Sequence, residues 1–266
     1  MFSGGIDSWA TARRVADRYG PDDVVLLFTD TNVESAGLYI FLAAAVKDIG
    51  GQFVRLQNGG RGPWQAMKEA RFLGSNRVAV CSRILKQEPA RAWLEENADP
   101  ATTIVYIGMD ASEGDRVKRV KAEYSKRGWT VECPLADWRP EILWKNELVA
   151  LARERGLPVS PVYDDPATLH DNCDGACVRM GIMGWAHLLR TRREKYLWAE
   201  RMEREVTAHI DPPQPIAILR DRRGGVSVPM PLSELRERVE ALGPLFETSA
   251  ADMDCGGCFT LPMAVE

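Results

Sequence analysis

A glycine-rich run at the start of the chain constrains the fold more than any other stretch. The run Ser-Gly-Gly-Ile-Asp-Ser occupies positions 3–8 and leads directly into Trp9–Tyr19, where apolar residues recur at helical spacing. Two glycines let a backbone turn tightly and approach a ligand closely, and Ser3 and Ser8 can add hydroxyl hydrogen bonds. The helix directs its free N–H groups and the positive end of its dipole at the loop. Residues 3–8 therefore predict an anion-binding loop, and in an enzyme the usual anion is phosphate.

Two other interpretations apply to the same six residues. The first, a phosphate loop of the GxxxxGK[ST] type, is excluded because no lysine precedes Ser8. The second is an ordinary glycine-rich turn in which a serine or aspartate caps the helix, and the local pattern alone leaves it open. The motifs further along the chain bear on this choice.

Composition indicates a globular protein. The 266 residues are 45% hydrophobic and 27% charged, and the net charge of −4 argues against a general binder of polyanions. No apolar run approaches the length of a membrane span, and glycines and Asp7 interrupt any signal-peptide pattern at the start. We expect a cytoplasmic protein with no membrane partner, whose six cysteines stay reduced as ligands, catalytic thiols or core residues.

Alternating strand and helix patterns predict an α/β architecture in the first half of the chain. Val24–Phe28 and Thr103–Ile107 are continuous apolar runs, typical of strands covered on both faces, and helical spacing fills the stretches between such runs. We divide the chain into an α/β domain at 1–138, a helical segment with cysteines at 139–210, and a small extension at 211–266. A proline-rich linker opens the extension.

The second half predicts shorter elements. Gly175–Leu189 and Arg192–Val206 have the spacing of two helices, and Ile216–Leu219 is a short apolar strand. Leu157–Asn172 is rich in proline and aspartate without periodicity, so we expect a loop that crosses to the site.

The strand that should precede the phosphate loop is not visible in the sequence. A doubly wound sheet normally feeds this loop from a strand, but Met1 and Phe2 alone precede Ser3, which is too few for a strand of normal length. We expect either a truncated start or a sheet that lacks this strand.

Together with the loop, five later segments resemble one known superfamily. SGGIDS resembles the SGGxDS motif of PP-loop ATP pyrophosphatases, and the later segments resemble the branch of phosphoadenosine phosphosulfate (PAPS) reductase-like proteins. The combination of this loop with cysteine pairs is similar to DNA-phosphorothioation and tRNA-thiolation enzymes. The resemblance covers roughly residues 1–205, in order. The matching segments are Phe28–Glu34, Cys81–Lys86, Gly108–Arg116, Pro134–Trp138 and Asn172–Cys177.

The resemblance implies a fold, an activity and a set of site residues. The fold is a doubly wound, mostly parallel sheet of the HUP-like type, with helices on both faces. ATP and Mg²⁺ bind at the loop, and an acceptor is adenylated with release of pyrophosphate before sulfur is transferred to it. The acceptor is a nucleic acid or a small molecule, and a sulfur-donor protein is a further partner. The implied catalytic residues are Asp7, Ser8, Cys81 and Lys86, and the implied nucleotide-binding residues are Ser3, Gly4, Gly5, Asp7, Ser8, Thr29, Asp30, Thr31, Arg83, Lys86, Gly108, Glu113 and Arg116.

Several of these residues have a physical rationale of their own. Asp7 could orient the loop or bind Mg²⁺, which takes one or two carboxylates together with phosphate oxygens. Asp30 and Thr31 follow the carboxyl end of a predicted strand, where open α/β sheets bind ligands, although Asp30 could equally cap a helix. Arg83 and Lys86 are three residues apart and would share a helix face. Beside a cysteine, such a basic patch would bind phosphate or lower the thiol pKa, whereas a solvated pair of charges is the alternative.

One departure from the family pattern keeps other functions open. The segment at Gly108 has Asp110 where PAPS reductase-like proteins carry an arginine, while Glu113 and Arg116 match the pattern. The tail also lacks the Glu-Cys-Gly-Leu-His motif of PAPS reductases. A PAPS reductase acting with thioredoxin is therefore the alternative function, and a nucleotide-binding module without catalysis is the second alternative.

Four cysteines form two pairs that could share a metal. Cys173 and Cys177 are four apart and would share a face of a helix, and Cys255 and Cys258 form a CxxC with two glycines. Four thiolates suit tetrahedral Zn²⁺ or a [4Fe–4S] cluster, whereas a redox pair or buried structural thiols are the alternatives. We expect Cys133 to be structural. The histidines, at 170, 187 and 209, are expected at the surface or in packing.

Overall fold

The computed structural model describes residues 1–138, 144–165, 172–223 and 226–243, and within these ranges helices alternate with strands. The helices are α1 (Ile6–Tyr19), α2 (Ala36–Ile49), α3 (Pro63–Glu69), α4 (Val80–Ser82), α5 (Glu88–Asn97), α6 (Gly114–Ser125), α7 (Pro134–Asp137), α8 (Lys145–Glu154), α9 (Ile182–Thr191), α10 (Arg193–Ile210) and α11 (Leu232–Leu242). The strands are β1 (Val25–Asp30), β2 (Gln52–Gln57), β3 (Ile104–Tyr106), β4 (Thr130–Glu132), β5 (Leu219–Arg223) and β6 (Val226–Met230). This order confirms the predicted α/β class.

The strands of the first half form two parallel pairs. β1 pairs with β2 in a register that runs from Val25 opposite Gln52 to Asp30 opposite Gln57. β3 pairs with β4 over three residues. Parallel pairs need crossover connections, and helices α2 and α6 provide them here. Because the described strands form pairs, the continuous doubly wound sheet stays a prediction.

The first two residues lie between these pairs. The amide of Phe2 donates a hydrogen bond to the carbonyl of Leu27 on β1 at 2.8 Å, and the amine of Met1 donates to the carbonyl of Tyr106 on β3 at 2.8 Å. Successive residues thus bond to opposite neighbours, as they do in a strand with a partner on each side. Residues 1–2 therefore connect β1 with β3 by one hydrogen bond to each, while the two strand pairs remain separate two-stranded sheets.

Buried side chains on both sides of these strands hold the first half together. Trp9 of α1 is fully buried, contacts Phe41 of α2 edge to face, and donates its indole N–H to Asp48 at 2.9 Å. α2 starts at Ala36, because the hydroxyl of its N-cap residue Ser35 accepts the amide of Leu38 at 3.0 Å. These contacts fix α1, and with it the loop at its N-terminus.

The second half packs as helices with one hairpin. β5 and β6 pair antiparallel, and they share a hydrophobic cluster with α9, α10 and α11 that also includes Trp64 and Leu85 from the first domain. The predicted boundaries at 138 and 210 are therefore not breaks in the packing. Two predicted elements need correction: the helix expected from Gly175 begins at Ile182, and the strand expected at Ile216–Leu219 begins at Leu219. In the described ranges, no helix is both long and apolar enough to cross a bilayer.

A single carboxylate anchors the hairpin to α10, and its removal should destabilise the protein. Glu203 is buried and accepts the amides of Ile218 and Leu232 at 2.8 and 2.7 Å. In Glu203→Ala both amides lose their hydrogen-bond acceptor. Each loss should lower the free energy of unfolding by about 1–3 kcal/mol. Urea unfolding should show this loss, while Glu205→Ala, on an exposed side chain of the same helix, should change stability by about 0.5 kcal/mol or less. Equal midpoints for the two variants would contradict the anchoring role.

Candidate functional site

The loop at residues 3–8 has the backbone geometry of an anion cradle. Gly4 has φ of 78°, in the left-handed region that favours glycine, and Gly5 is the N-cap of α1 in an extended conformation. The hydroxyl of Ser8 donates back to the carbonyl of Gly5 at 2.8 Å, which closes the turn. Gly5 has no side chain, so the N-cap residue cannot itself cover the first N–H groups of α1, and they stay accessible to a ligand from that position.

Gly108, just beyond β3, packs directly against the end of this loop. A Cβ atom at position 108 would lie 2.8 Å from the carbonyl carbon of Asp7 and 2.9 Å from the amide nitrogen of Ser8. Contacts this short do not occur between real Cβ atoms and backbone, so a side chain here would displace the start of α1. The resemblance implied that Gly108 binds the nucleotide, which stays a prediction; the structure places Gly108 against Asp7 and Ser8.

Asp7 carries the charge of the loop and has one unsatisfied oxygen. Its Oδ2 forms an ion pair with Lys145 of α8, a residue that the sequence did not single out. Its Oδ1 is buried, and we find no hydrogen-bond partner for it among the described residues. A buried carboxylate oxygen without a partner has the chemistry of a ligand for a hard cation. This observation fits the predicted Mg²⁺ role of Asp7.

The predicted crossing loop also reaches this site. Pro161–Asp164 form a short 3₁₀ turn, and the hydroxyl of Tyr163 would lie 3.7 Å from a Cβ atom at Gly5. No periodic signal marks Tyr163, so the sequence could predict the crossing but not the residue that makes it.

At the carboxyl end of β1, Asp30 is held by groups of this chain. Its Oδ1 accepts the hydroxyl of Tyr39 at 2.7 Å and the amide of Asn32 at 2.8 Å, and its Oδ2 accepts Nε of Arg55 at 2.8 Å. Burial opposes ionisation of Asp30, but these hydrogen bonds and the Arg55 charge outweigh it and lower the pKa of the carboxyl. Asp30 therefore stays ionised and fixes the turn after β1. The neighbouring Thr29 and Thr31 are both buried.

A buried cluster around Glu34 forms the second half of the site. Glu34 accepts the hydroxyl of Thr31 at 2.9 Å, lies 3.3 Å from Nζ of Lys86, and accepts the amide of Cys173 at 2.5 Å. The side chains of Glu34 and Lys86 are 1% and 5% exposed, so this ion pair is screened from water. The cluster joins β1, the helix after α4 and the cysteine segment at one point.

The structure separates Arg83 from Lys86, which the sequence placed on one face. Residues Arg83–Gln87 form a π-helical turn between α4 and α5, and the wider turn removes the face that residues three apart share in an α-helix. Arg83 points outward and pairs with Glu88 at 2.6 Å, while Lys86 points inward to Glu34. The predicted joint basic patch beside Cys81 is therefore wrong.

The segment with Cys173 and Cys177 is not helical, so the predicted shared helix face is also wrong. Cys173 and Asp174 have φ of 55° and 51°, and Gly175 continues the same left-handed turn. Non-glycine residues adopt this conformation at a cost, which other contacts must offset. Asp174 forms ion pairs with Arg192 and with Lys195, the latter at 2.7 Å, and these partners lower the pKa of its carboxyl although burial opposes ionisation.

Three cysteines nevertheless meet at one place. Cys81, Cys173 and Cys177 line a small cavity beside Lys86, with a volume of about 20 Å³, which is room for about one water molecule. Cys255 and Cys258 lie outside the described residues. Among the residues that are described, no group of three or more His, Cys, Asp or Glu side chains is arranged to hold a metal ion. The four-cysteine Zn²⁺ or [4Fe–4S] site stays a prediction.

The remaining predicted residues lie close to the loop or have local partners. Asp110 caps the turn at 111–113 by accepting the amide of Ser112 at 2.9 Å, and Glu113 pairs with Arg116. Burial, reinforced by Asp137, raises the pKa of the Cys133 thiol to about 11, which agrees with a structural role. His187 pairs with Asp165 at 2.6 Å, and His170 lies outside the described residues.

Two comparisons with known proteins bear on this site. No protein-family model and no curated protein sequence matches the chain. The resemblance to PP-loop enzymes therefore stays a prediction that depends on the residues themselves.

Proposed function

We propose that this protein is an ATP-dependent enzyme of the PP-loop type, which binds ATP at residues 3–8 and adenylates an acceptor with release of pyrophosphate. The observation that carries the proposal is the tight Gly4–Gly5 turn into the N-terminus of α1, with Gly108 packed against it. Backbone N–H groups and a helix dipole at such a turn favour a phosphate chain. We propose with it the doubly wound, HUP-like sheet, with the loop at the carboxyl ends of its strands.

Different residues around the loop would position the ATP phosphates and balance their negative charge. Backbone amides of Gly4, Gly5 and α1 would hold the terminal phosphates. Asp7 would present its unpaired oxygen to Mg²⁺, which neutralises phosphate charge when bound. Lys145 keeps the other Asp7 oxygen in place. Transfer of an adenylyl group depends mainly on positioning and electrostatic stabilisation, which this arrangement can supply.

The sulfur-transfer half of the proposal depends on the cysteine cavity. Cys81, Cys173 and Cys177 line one space next to the Glu34–Lys86 pair, and Thr31 connects that pair to the end of β1. A thiolate lining this space would take the outer sulfur of a donor protein's persulfide, which releases the donor's thiol. The terminal sulfur of the new persulfide would attack the adenylated acceptor and displace AMP. A second cysteine of the cavity would then attack the sulfur–sulfur bond, which releases the thiolated acceptor and leaves a disulfide. The acceptor class remains nucleic acid or small molecule, since the site residues favour neither.

Product analysis with labelled ATP tests the reaction class. With Mg²⁺, total tRNA as the first acceptor and inorganic sulfide as the sulfur source, we expect pyrophosphate and AMP in equal amounts. Attack on the α-phosphate releases pyrophosphate and leaves AMP bonded to the acceptor, and the attacking sulfide then displaces that AMP. ADP and inorganic phosphate as the products would contradict the assignment. Sulfite released from PAPS in the presence of thioredoxin would favour the reductase instead, and nucleotide binding without turnover on any acceptor would favour a binding module.

A further inference from the structure

The cysteine cavity, the space of about 20 Å³ that Cys81, Cys173 and Cys177 share, has a positively charged lining. Among the described residues that line it, Lys86 and Arg179 are cationic and none is a carboxylate. Both cations are buried, at 4% and 9% exposure. A buried space with positive charge in its lining and room for about one water molecule has the properties of a site for a small anion.

Neighbouring groups hold the two cations in the lining. Nζ of Lys86 lies 3.3 Å from a carboxylate oxygen of Glu34, which is outside the described lining of the cavity. Nη1 of Arg179 donates to the carbonyl of Arg77 at 2.7 Å. An ammonium group has three donors and a guanidinium group has five, so each cation can bind an anion while it keeps this bond. An anion in the cavity would therefore meet two charged donors whose positions the fold already fixes.

Size and polarity together select the anion. Tetrahedral oxyanions such as phosphate and sulfate are too large for a space of about one water molecule. Beside the two cations, the lining is largely apolar: Trp64, Trp198 and Leu85 contribute to it, and the two indole rings meet edge to face at 5.9 Å. A weakly hydrated anion with a single heavy atom loses least on entering such surroundings. Hydrosulfide, HS⁻, is an anion of this kind, and the three thiols give it groups with which it can react.

The proposed sulfur transfer ends with a disulfide in this cavity, which must be opened before the next turnover. Cys81 and Cys177 are 8% and 4% exposed, whereas Cys173 is partly exposed. Any disulfide among the three therefore contains at least one buried sulfur. Attack on a disulfide requires access to the sulfur that is attacked. A small nucleophile that is already inside the cavity has this access at a buried sulfur, and the thiolate of a reductant protein does not.

We propose that the cysteine cavity binds hydrosulfide and that the bound anion reloads the cavity with sulfur; this inference rests on the proposed sulfur transfer. The sulfide sulfur attacks one sulfur of the disulfide, so a new S–S bond forms and the old one breaks. The attacked cysteine becomes a persulfide, and the other leaves as a thiolate with the electron pair of the broken bond. The sulfide is oxidised and the disulfide is reduced, so the cycle needs no other reductant. Over a full turnover, hydrosulfide replaces AMP on the acceptor.

Mass spectrometry of the full chain tests this site without ATP. Protein oxidised with diamide, then separated from it, is mixed with sodium sulfide, and sodium sulfate keeps the ionic strength constant. We expect a chain about 32 Da heavier than the reduced chain, the mass of one sulfur atom. Peptide mapping should place that sulfur on Cys81, Cys173 or Cys177 rather than on Cys255 or Cys258. The rate should saturate as sulfide rises, because the bound anion is the species that reacts.

Substitutions at Arg179 separate binding from folding. In Arg179→Met, the sulfide concentration that gives half the maximal rate should rise by about tenfold or more, the change in Kd expected for one lost hydrogen bond to a charged group. Arg179→Lys retains a cation and should recover part of the affinity. Arg83→Met is the matched control, because Arg83 points outward to Glu88, and its rate should equal that of the unaltered protein. Circular dichroism shows whether each variant is folded.

Three outcomes would overturn the proposal. The first is a rate that rises in proportion to sulfide without saturating, which would mean that sulfide attacks from solution; this measurement needs no variant and decides the question even if Arg179→Met does not fold. The second is the absence of a disulfide among the three cysteines after oxidation. The third is a persulfide that forms with glutathione persulfide but not with sulfide. Saturable persulfide formation in a protein that releases no pyrophosphate from ATP would instead support the anion site and reject the proposed adenylation.

Discussion

Gly108→Ala should weaken ATP binding by about 100-fold, the change in Kd expected when one or two hydrogen bonds to a charged phosphate, at about 1.5–3 kcal/mol each, are lost. The reason is steric: the new methyl group would lie 2.8–2.9 Å from the backbone of Asp7 and Ser8, and backbone cannot move aside as a flexible side chain can. The loop and the first turn of α1 would shift together, so the amides of the cradle would no longer converge on one anion. Calorimetry with a non-hydrolysable ATP analogue and Mg²⁺ measures the loss without any acceptor.

Gly114→Ala is the matched control for this substitution. Gly114 is the first residue of α6, and a Cβ atom there would meet nothing within 4 Å. Its affinity for the analogue should therefore equal that of the unaltered protein. Circular dichroism separates a displaced loop from an unfolded protein, because the proposal requires Gly108→Ala to retain its helices. Equal affinities for the two folded variants would exclude residues 3–8 as the phosphate site.

Gly4 and Gly5 could be predicted from sequence because their requirements are local, whereas the contact that requires glycine at position 108 is made with Asp7 and Ser8 far away in the chain. Consecutive residues determine both the turn, which needs a positive φ at Gly4, and the start of the helix that follows it. Apolar runs likewise located β1 and β3 to within two residues. The partner of Asp7 could not be found in this way, because Lys145 lies 138 positions away and its helix shows no unusual pattern.

The cysteine segment shows why the rest of the site was not predictable. Spacing of four residues predicts a helix face at Cys173 and Cys177, but that spacing says nothing about charges elsewhere. In the structure, Glu34 accepts the Cys173 amide, and Arg192 and Lys195 hold Asp174, so distant groups stabilise a left-handed turn that local preference disfavours. The π turn that separates Arg83 from Lys86 has the same origin, since the Glu34 carboxylate holds Lys86 inward.

Lys86→Met should destabilise the protein by about 3–5 kcal/mol, the usual cost of leaving one member of a buried ion pair without its partner. Glu34 would remain buried with hydrogen bonds from Thr31 and Cys173 but without the adjacent ammonium group. Arg83→Met is the matched control in the same turn: its ion pair with Glu88 is about half exposed on both sides, so its loss should cost about 1 kcal/mol or less. Urea unfolding monitored by circular dichroism measures both.

The double variant Lys86→Met/Glu34→Gln separates a structural role of Lys86 from a catalytic one. Removing the carboxylate charge should recover part of the stability lost in Lys86→Met, because no unpaired buried charge remains. Adenylation should not recover if Lys86 also contacts phosphate, since neither methionine nor glutamine restores an ammonium group. Recovery of both stability and turnover would limit Lys86 to holding Glu34, and with it the Cys173 turn, in place. A Lys86→Met protein as stable as Arg83→Met would instead show that the pair contributes nothing to folding, and any loss of turnover would then belong to the lysine itself.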